Sequence, residues 1–360
     1  MSKSNKIMIQ VCLCGAGTKK DQAPTVPYTA DELAEQIVEC AKAGASIAHI
    51  HVREDKLVNG EMQIGYKSMS LKAFTDAVEM TREACKKAGV DIIINLTTSG
   101  GEYEDFKRLQ HLGALKPEMC SFDPNTINWA NSYIFENSPR FLNKLSEEVV
   151  KHDVKPEFEV FDTGHIDSVM YYVNKWNIPQ PPHIQFIMGV GGSMPGTAEN
   201  LAFLVGKLPK GATWSVSGIG KCHMPMMLAG LALGCDGLRV GLEDNVMFGK
   251  NPDGSKDIAT NLRLVERAVQ LAKLAGREIA TADEAREILG ITRHCLRDEV
   301  TGPVTYTESL RFDPNQLRWA SIFQTGVNWG RGRGVGSFCE RELSSASETE
   351  GSSLIRRRHI

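Results

Sequence analysis

The chain has no apolar run near the ~20 residues that a membrane-spanning helix needs. It has no excess of one charge: 41 Lys and Arg face 44 Asp and Glu, a net charge of −3. That balance gives no reason to expect nucleic acid or an anionic membrane as partner. The start, Met1-Ser2-Lys3-Ser4-Asn5-Lys6, leads straight into a strand-like run and carries no signal-peptide apolar region. Cysteine is present, nine times, but the count is odd and the spacing is not that of a disulfide framework. This pattern reads as reduced thiols in a cytoplasmic protein. Cys12-x-Cys14 on the first strand run reads as a pair of small buried residues rather than metal ligands. Phosphate-binding fingerprints are missing too. Gly220-Lys221-Cys222 lacks the Ser/Thr and the upstream glycine of a Walker loop. Gly218-x-Gly220 is followed by His223, which does not fit the dinucleotide motif. Gly189–Gly196 and Gly218–Gly220 are left as anion sites, close-approach loops or plain turns.

What is present is an alternation of short apolar runs with longer amphipathic segments. Strands are predicted at Ile7–Cys14, Ser46–Val52, Asp91–Leu96, Met119–Phe122, Glu157–Phe161, His183–Gly189, Thr213–Ser217 and Gly237–Val240. The helical periods between them are clearest at Ala30–Ala43, Leu71–Ala88, Pro139–His152, His165–Trp176, Ala198–Leu208, Met224–Leu233 and Ile258–Ala275. Thr29 and Thr281 stand where helix N-caps belong. Eight such repeats over about 280 residues suit a (β/α)8 TIM barrel, although a doubly wound open sheet uses the same alternation. Polar residues favour the barrel. They gather at the C-terminal ends of seven strand runs, where barrel chemistry collects, and not at one switch point. The predicted catalytic domain is residues 1–292. Residues 293–360 contain Gly330-Arg-Gly-Arg-Gly-Val-Gly336, a Ser/Glu-rich stretch and a terminal Arg356-Arg357-Arg358, and read as an irregular extension.

Ala48-His49-Ile50-His51-Val52 is the most informative segment. Side chains two apart on a strand share a face, so His49 and His51 offer half of a metal site. Two hydrogen-bonded core histidines would give the same pattern. Glu243-Asp244-Asn245 follows Arg239 on the last strand run, and a closed barrel would bring Glu243 to the histidines from across the mouth. Two histidines and one carboxylate with an open position make a catalytic zinc arrangement. Arg239 and Asp244 would lie beside it, with an ionised Asp244 placed to remove a proton alpha to a carbonyl. Glu159 sits in the apolar run Phe158-Glu159-Val160-Phe161 and needs a partner; Arg239 is the obvious one, whether for catalysis or as a structural salt bridge. His165 and His223 are left without a role, and His183 falls at the N-terminal, structural end of its strand.

His49-Ile-His51-Val-Arg53-Glu54-Asp55, Lys116-Pro117-Glu118-Met119, Gly218-Ile-Gly220 and Arg239-Val-Gly-Leu-Glu243-Asp244-Asn245 together resemble the β-keto acid cleavage enzymes, in order, over roughly residues 7–291. The resemblance implies a zinc-dependent (β/α)8 barrel, a homo-oligomer. It would condense a β-keto acid with acetyl-CoA and cleave to acetoacetate and a new acyl-CoA. It also implies zinc ligands His49, His51 and Glu243, and a deprotonating triad Glu159, Arg239 and Asp244. Thr97, Gly100, Ser121 and Asp123 would hold the keto acid's carboxylate and chain. Two positions depart from family members acting on an amino-bearing keto acid. Gly17 stands where those have a Glu, and Asp123 where those have an Asn. An extra carboxylate at 123 suits a cationic substrate tail. Two other readings stand beside this one. A metal-dependent hydrolase barrel also uses His-x-His but needs further histidines, and strand six ends in Met188-Gly189. A non-catalytic metal-binding barrel is the third.

Overall fold

Eight parallel strands close on themselves in a computed structural model that describes residues 5–292. The strands are β1 (Lys6–Cys12), β2 (Ile47–Ile50), β3 (Ile93–Leu96), β4 (Met119–Phe122), β5 (Lys155–Val160), β6 (His183–Met188), β7 (Thr213–Gly218) and β8 (Gly237–Val240). Each pairs with the next, and β8 returns to β1 with Met8 opposite Gly237 and Val11 opposite Val240. The TIM barrel is therefore the fold. Strands buried on both faces need continuous apolar runs, and almost every residue of the eight strands is buried. The predicted extension at 293–360 lies outside the described residues.

The helices that wrap the barrel are α1 (Ala30–Ala43), α2 (Leu71–Ala88), α3 (Asp105–Leu115), α4 (Pro139–His152), α5 (Thr163–Trp176), α6 (Ala198–Val205), α7 (His223–Leu233) and α8 (Asn261–Leu274). Thr29 caps α1 in a full capping box, its hydroxyl accepting from Glu32 N while the Glu32 carboxylate accepts from Thr29 N. Helix α3 was not read from the sequence. Gly113 interrupts it and its apolar face is thin, but its Arg108, His111 and Leu112 are buried.

The two ends of the barrel differ. At the N-terminal end, α9 (Ala282–Leu289), capped by a second box at Thr281, seats Ala285 and Leu289 against Met8, Ile47, Ile93 and Met119. Arg286 on the same helix donates to Asp91 (2.5 Å) and to Glu118 (2.5 Å). At the C-terminal end, three hairpins absent from the sequence reading rise above the strands. They are Val52–Val58 with Glu61–Ser68, Ile127–Trp129 with Tyr133–Phe135, and Met247–Lys250 with Lys256–Ile258. One end is plugged and the other is elaborated, as expected where the site sits at the top.

Candidate active site

His49 is on β2 and His51 lies one residue past it, yet both rings point to the same centre, 5.0 Å apart at 72°. Glu243 arrives from the loop after β8. The sequence expectation placed that loop across the mouth from β1 and β2. In the structure β8 is hydrogen-bonded to β1, so the loop reaches His49 and His51 by folding over β1. Gly241 permits this turn: its φ is +145°, and a Cβ there would lie 2.1 Å from the Cys12 carbonyl oxygen. Glu243 N then donates to that oxygen at 3.2 Å. Gly15 leaves room on the other side, since a Cβ would come within 2.5 Å of Glu243 Cγ. Arg53 clamps the same loop, donating to the carbonyls of Cys14, Gly15 and Thr18 at 2.9, 2.6 and 3.1 Å. Asn261 ties the two loops by accepting from Leu242 N and donating to Leu13 O.

The carboxylate of Glu243 lies between the imidazoles. Its Oε1 is 3.4 Å from His51 Nε2 and its Oε2 is 3.9 Å from His49 Nε2. A ligand atom from each of the three falls within 4.8 Å of the other two. Burial would raise the Glu243 carboxyl, but His51 and Arg239 outweigh it and hold the group well below the usual carboxylate range. Burial lowers His49 to about 3, so its ring is neutral and its lone pair free to coordinate.

Arg239, buried on β8, organises the acids. Nη1 donates to Glu159 Oε1 at 2.8 Å and Nη2 to Glu243 Oε1 at 2.8 Å. Nε and Nη2 make a two-pronged contact to Asp244, at 3.0 and 3.1 Å. Ser217 adds a hydroxyl to Asp244 Oδ2 at 2.7 Å. Burial raises the Asp244 carboxyl against the pull of Arg239, and raises Glu159 likewise. Asp123, just past β4 and buried, is pushed well above the usual range, by burial first and then by Glu159.

One guanidinium thus faces Glu159, Glu243 and Asp244, with Asp123 close behind. Such negative excess in a dry pocket calls for a cation. Glu243 Oε2 is also a buried acceptor without a hydrogen-bond donor among the described residues. Two imidazoles, one carboxylate and that orphaned oxygen fit a zinc ion.

Of the predicted site residues, the structure brings together His49, His51, Glu159, Arg239, Glu243 and Asp244. Thr97 and Ser121 lie at the neighbouring ends of β3 and β4, buried and away from direct contact with that cluster. The Thr97 hydroxyl donates to Ser99 Oγ at 2.8 Å, and Ser121 Oγ accepts from Thr98 N at 3.0 Å. Gly100 turns with φ +100° against Met69 and Tyr103. Gly17 is exposed, with open space where a side chain would be. Three other histidines make structural contacts. His183 bonds Thr213 Oγ1, His165 Nδ1 accepts from Phe161 N, and His223 meets Arg267. Gly189 and Gly196 pack against Cys222. Cys12 and Cys14 are buried, as read. Ser217 was visible as a polar strand end but drew no role from the sequence. Arg53 and Asn261 were missed because both work through backbone carbonyls and amides, which leave no spacing signal.

A family model described as beta-keto acid cleavage enzyme matches residues 6–291. The chain is 38% identical over 289 residues to a 3-keto-5-aminohexanoate cleavage enzyme of Acetoanaerobium sticklandii, covering 80% of this chain and 99% of that protein. It is 29% identical to a 3-dehydrocarnitine:acetyl-CoA trimethylamine transferase of Rhizobium meliloti, covering 81% and 99%. A 3-oxoadipate:acetyl-CoA acetyltransferase of Cupriavidus necator is 31% identical, covering 79% and 94%. Among solved structures, the ternary complex of ObcA with C4-CoA adduct and oxalate superposes with a TM-score of 0.63 at 20% identity, covering 74% and 68%; this speaks to the fold alone. Relatives that span the whole barrel are enzymes of acyl transfer and β-keto acid cleavage, and by this match the chain belongs to the β-keto acid cleavage enzyme family.

Proposed function

We propose that the enzyme holds zinc with His49, His51 and Glu243, condenses a β-keto acid with acetyl-CoA, and cleaves the adduct to acetoacetate and a new acyl-CoA. The observation that carries this is Glu243, set between two imidazoles and sharing Arg239 with a second carboxylate, Asp244. Held by His49, His51 and Glu243, zinc would supply a Lewis acid able to polarise the keto oxygen and make the adjacent proton easier to remove. Asp244 takes that α-proton. Its burial raises its proton affinity, and Arg239 with Ser217 fixes its direction. Glu159 holds the far prong of Arg239, so the guanidinium cannot swing away. Thr97, Gly100, Ser121 and Asp123 line the adjoining strand ends and hold the substrate's carboxylate and chain.

The bonds balance without an external oxidant. The deprotonated α-carbon attacks the acetyl carbonyl and CoA thiolate leaves. The thiolate then adds to the original keto carbonyl, and the bond to the α-carbon breaks. The α-carbon leaves as an enolate and takes back the proton from Asp244; acetoacetate departs with the keto acid's carboxylate, and the rest of the keto acid leaves as its CoA thioester. The substrate partners are small molecules. No helix of the described residues is long and apolar enough to cross a membrane, and Cys12, Cys14, Cys40, Cys85, Cys120 and Cys222 are free thiols. These observations support a cytoplasmic enzyme, and we read it as a homo-oligomer.

Replacing His49 or Glu243 with Ala is expected to abolish both zinc retention and turnover. Metal analysis with an assay for acetoacetate checks this; normal activity in either variant contradicts it.

A further inference from the structure

Beneath the site lies a buried polar layer that the chemistry above does not use. Gln10 of β1, Asn95 of β3 and Glu157 of β5 all point into the barrel and are essentially inaccessible. Glu157 Oε2 accepts from Asn95 Nδ2 at 2.7 Å and from Gln10 Nε2 at 3.0 Å. Asn95 stands directly opposite His49 in the β2–β3 register. His49 Nδ1 and Asn95 Oδ1 have no hydrogen-bond partner among the described residues, and Glu157 Oε1 faces His183 Nε2 at 3.8 Å. His49 and Glu157 each place a ligand-type atom within 4.8 Å of the other.

An amide has one donor end and one acceptor end. Glu157 Oε2 accepts from both Gln10 and Asn95, so it commits the amino end of Asn95. The carbonyl end is then left to face the neighbouring histidine. A neutral imidazole meeting an acceptor through Nδ1 must carry its proton there, and its lone pair is on Nε2. Nε2 is the atom that faces Glu243.

We propose that Glu157 and Asn95 are positioning residues that set the tautomer of His49. Glu157 orients the Asn95 amide, and the carbonyl of that amide holds the proton on His49 Nδ1, leaving Nε2 bare for zinc. This rests on the metal reading given above. Partners that orient a ligating histidine change metal affinity about 10–100-fold when removed.

Glu157→Gln tests it. The new side chain is the same size, but its amide can present a donor and release Asn95 to turn over. The expected result is a folded protein whose zinc affinity, measured by competition with a chromogenic chelator, falls about 10–100-fold. The visible spectrum of the cobalt-substituted protein should change with it. Gln10→Leu removes the other donor to Glu157 but leaves Asn95 fixed, and should bind zinc as wild type does. A folded Glu157→Gln protein with wild-type zinc affinity and cobalt spectrum overturns the proposal. If that variant does not fold, the nitrogen shifts of 15N-histidine in zinc-free wild type decide. They are assigned to His49 by comparison with His49→Asn. A proton on Nδ1 supports the proposal and one on Nε2 overturns it. Failure of wild type itself to bind zinc would overturn the metal reading instead, and is seen before any variant is made.

Discussion

A carboxylate buried beside a guanidinium feels two opposed influences, and Asp244 shows how they are set. Burial raises its proton affinity, while Arg239 and the Ser217 hydroxyl lower it, with burial ahead. The group is thus a stronger base than a surface aspartate. Asp244→Asn keeps the shape and removes the base. Turnover is expected to fall about 10²–10⁴-fold with zinc retained, which steady-state kinetics and metal analysis check together. On the acid side, kcat/KM in wild type should decline as Asp244 takes its proton, at a pH above the ordinary aspartate value. At this scale the sequence was informative where chemistry has a spacing. His49-x-His51 and Arg239-x3-Glu243-Asp244 were legible because strand geometry turns those spacings into contacts. Glu157 carried a usable signal as well, two residues before Glu159 and on the same face, but a carboxylate below a site looks in sequence like any other buried polar residue.

Among the elements, helices Ala30–Ala43, Leu71–Ala88 and Pro139–His152 were legible to the residue, because each has an N-cap and a strong apolar face. Met119–Phe122 and Gly237–Val240 match to the residue, and the other strands differ at one or both ends by one or two residues, since a buried parallel strand and the loop leaving it are equally apolar. The hairpins after β2, β4 and β8 escaped notice. Most of their residues are exposed or half-buried, and they lack the strict alternation that marks a strand. The two barrel ends also separate by role, and α9 provides a test. Leu289 is buried against the first residues of β1–β4. Leu289→Ala is expected to cost about 2–5 kcal/mol of stability. Urea unfolding measures that loss, and zinc affinity of the folded variant should stay as in wild type. A comparable loss of zinc affinity would mean that floor and mouth are coupled.

For the whole molecule, acid stability follows from histidines kept neutral. Burial lowers His49, His111 and His183 to about 3, and His165 and His223 to about 4. A histidine depressed by folding stabilises the native state fully above its unfolded value near 6.5, and that stability is lost as pH falls toward the folded value. Burial also raises Glu157 to about 7, and a carboxyl raised in this way works in the opposite sense until the pH falls below the ordinary carboxylate value. The steepest loss is therefore expected below about pH 4.5. His111, buried and stacked on Phe74 at 4.2 Å, isolates one proton. In His111→Leu the fall in stability from pH 6.5 to 4 should be shallower by up to about 1.4 kcal/mol per pH unit. Urea midpoints across that range check the slope, and parallel curves would contradict the assignment. The central claim concerns carbon, and a labelled co-substrate tests it most directly. Zinc-loaded enzyme is incubated with acetyl-CoA labelled with 13C in both acetyl carbons. The β-keto acids supplied have cationic, hydroxylated, aliphatic and dicarboxylic tails, and the products are read by mass spectrometry. The expected result is acetoacetate carrying both labels in its acetyl half, with an unlabelled acyl-CoA whose chain names the keto acid; no acetoacetate from any tail, with zinc confirmed in the protein, would contradict the account.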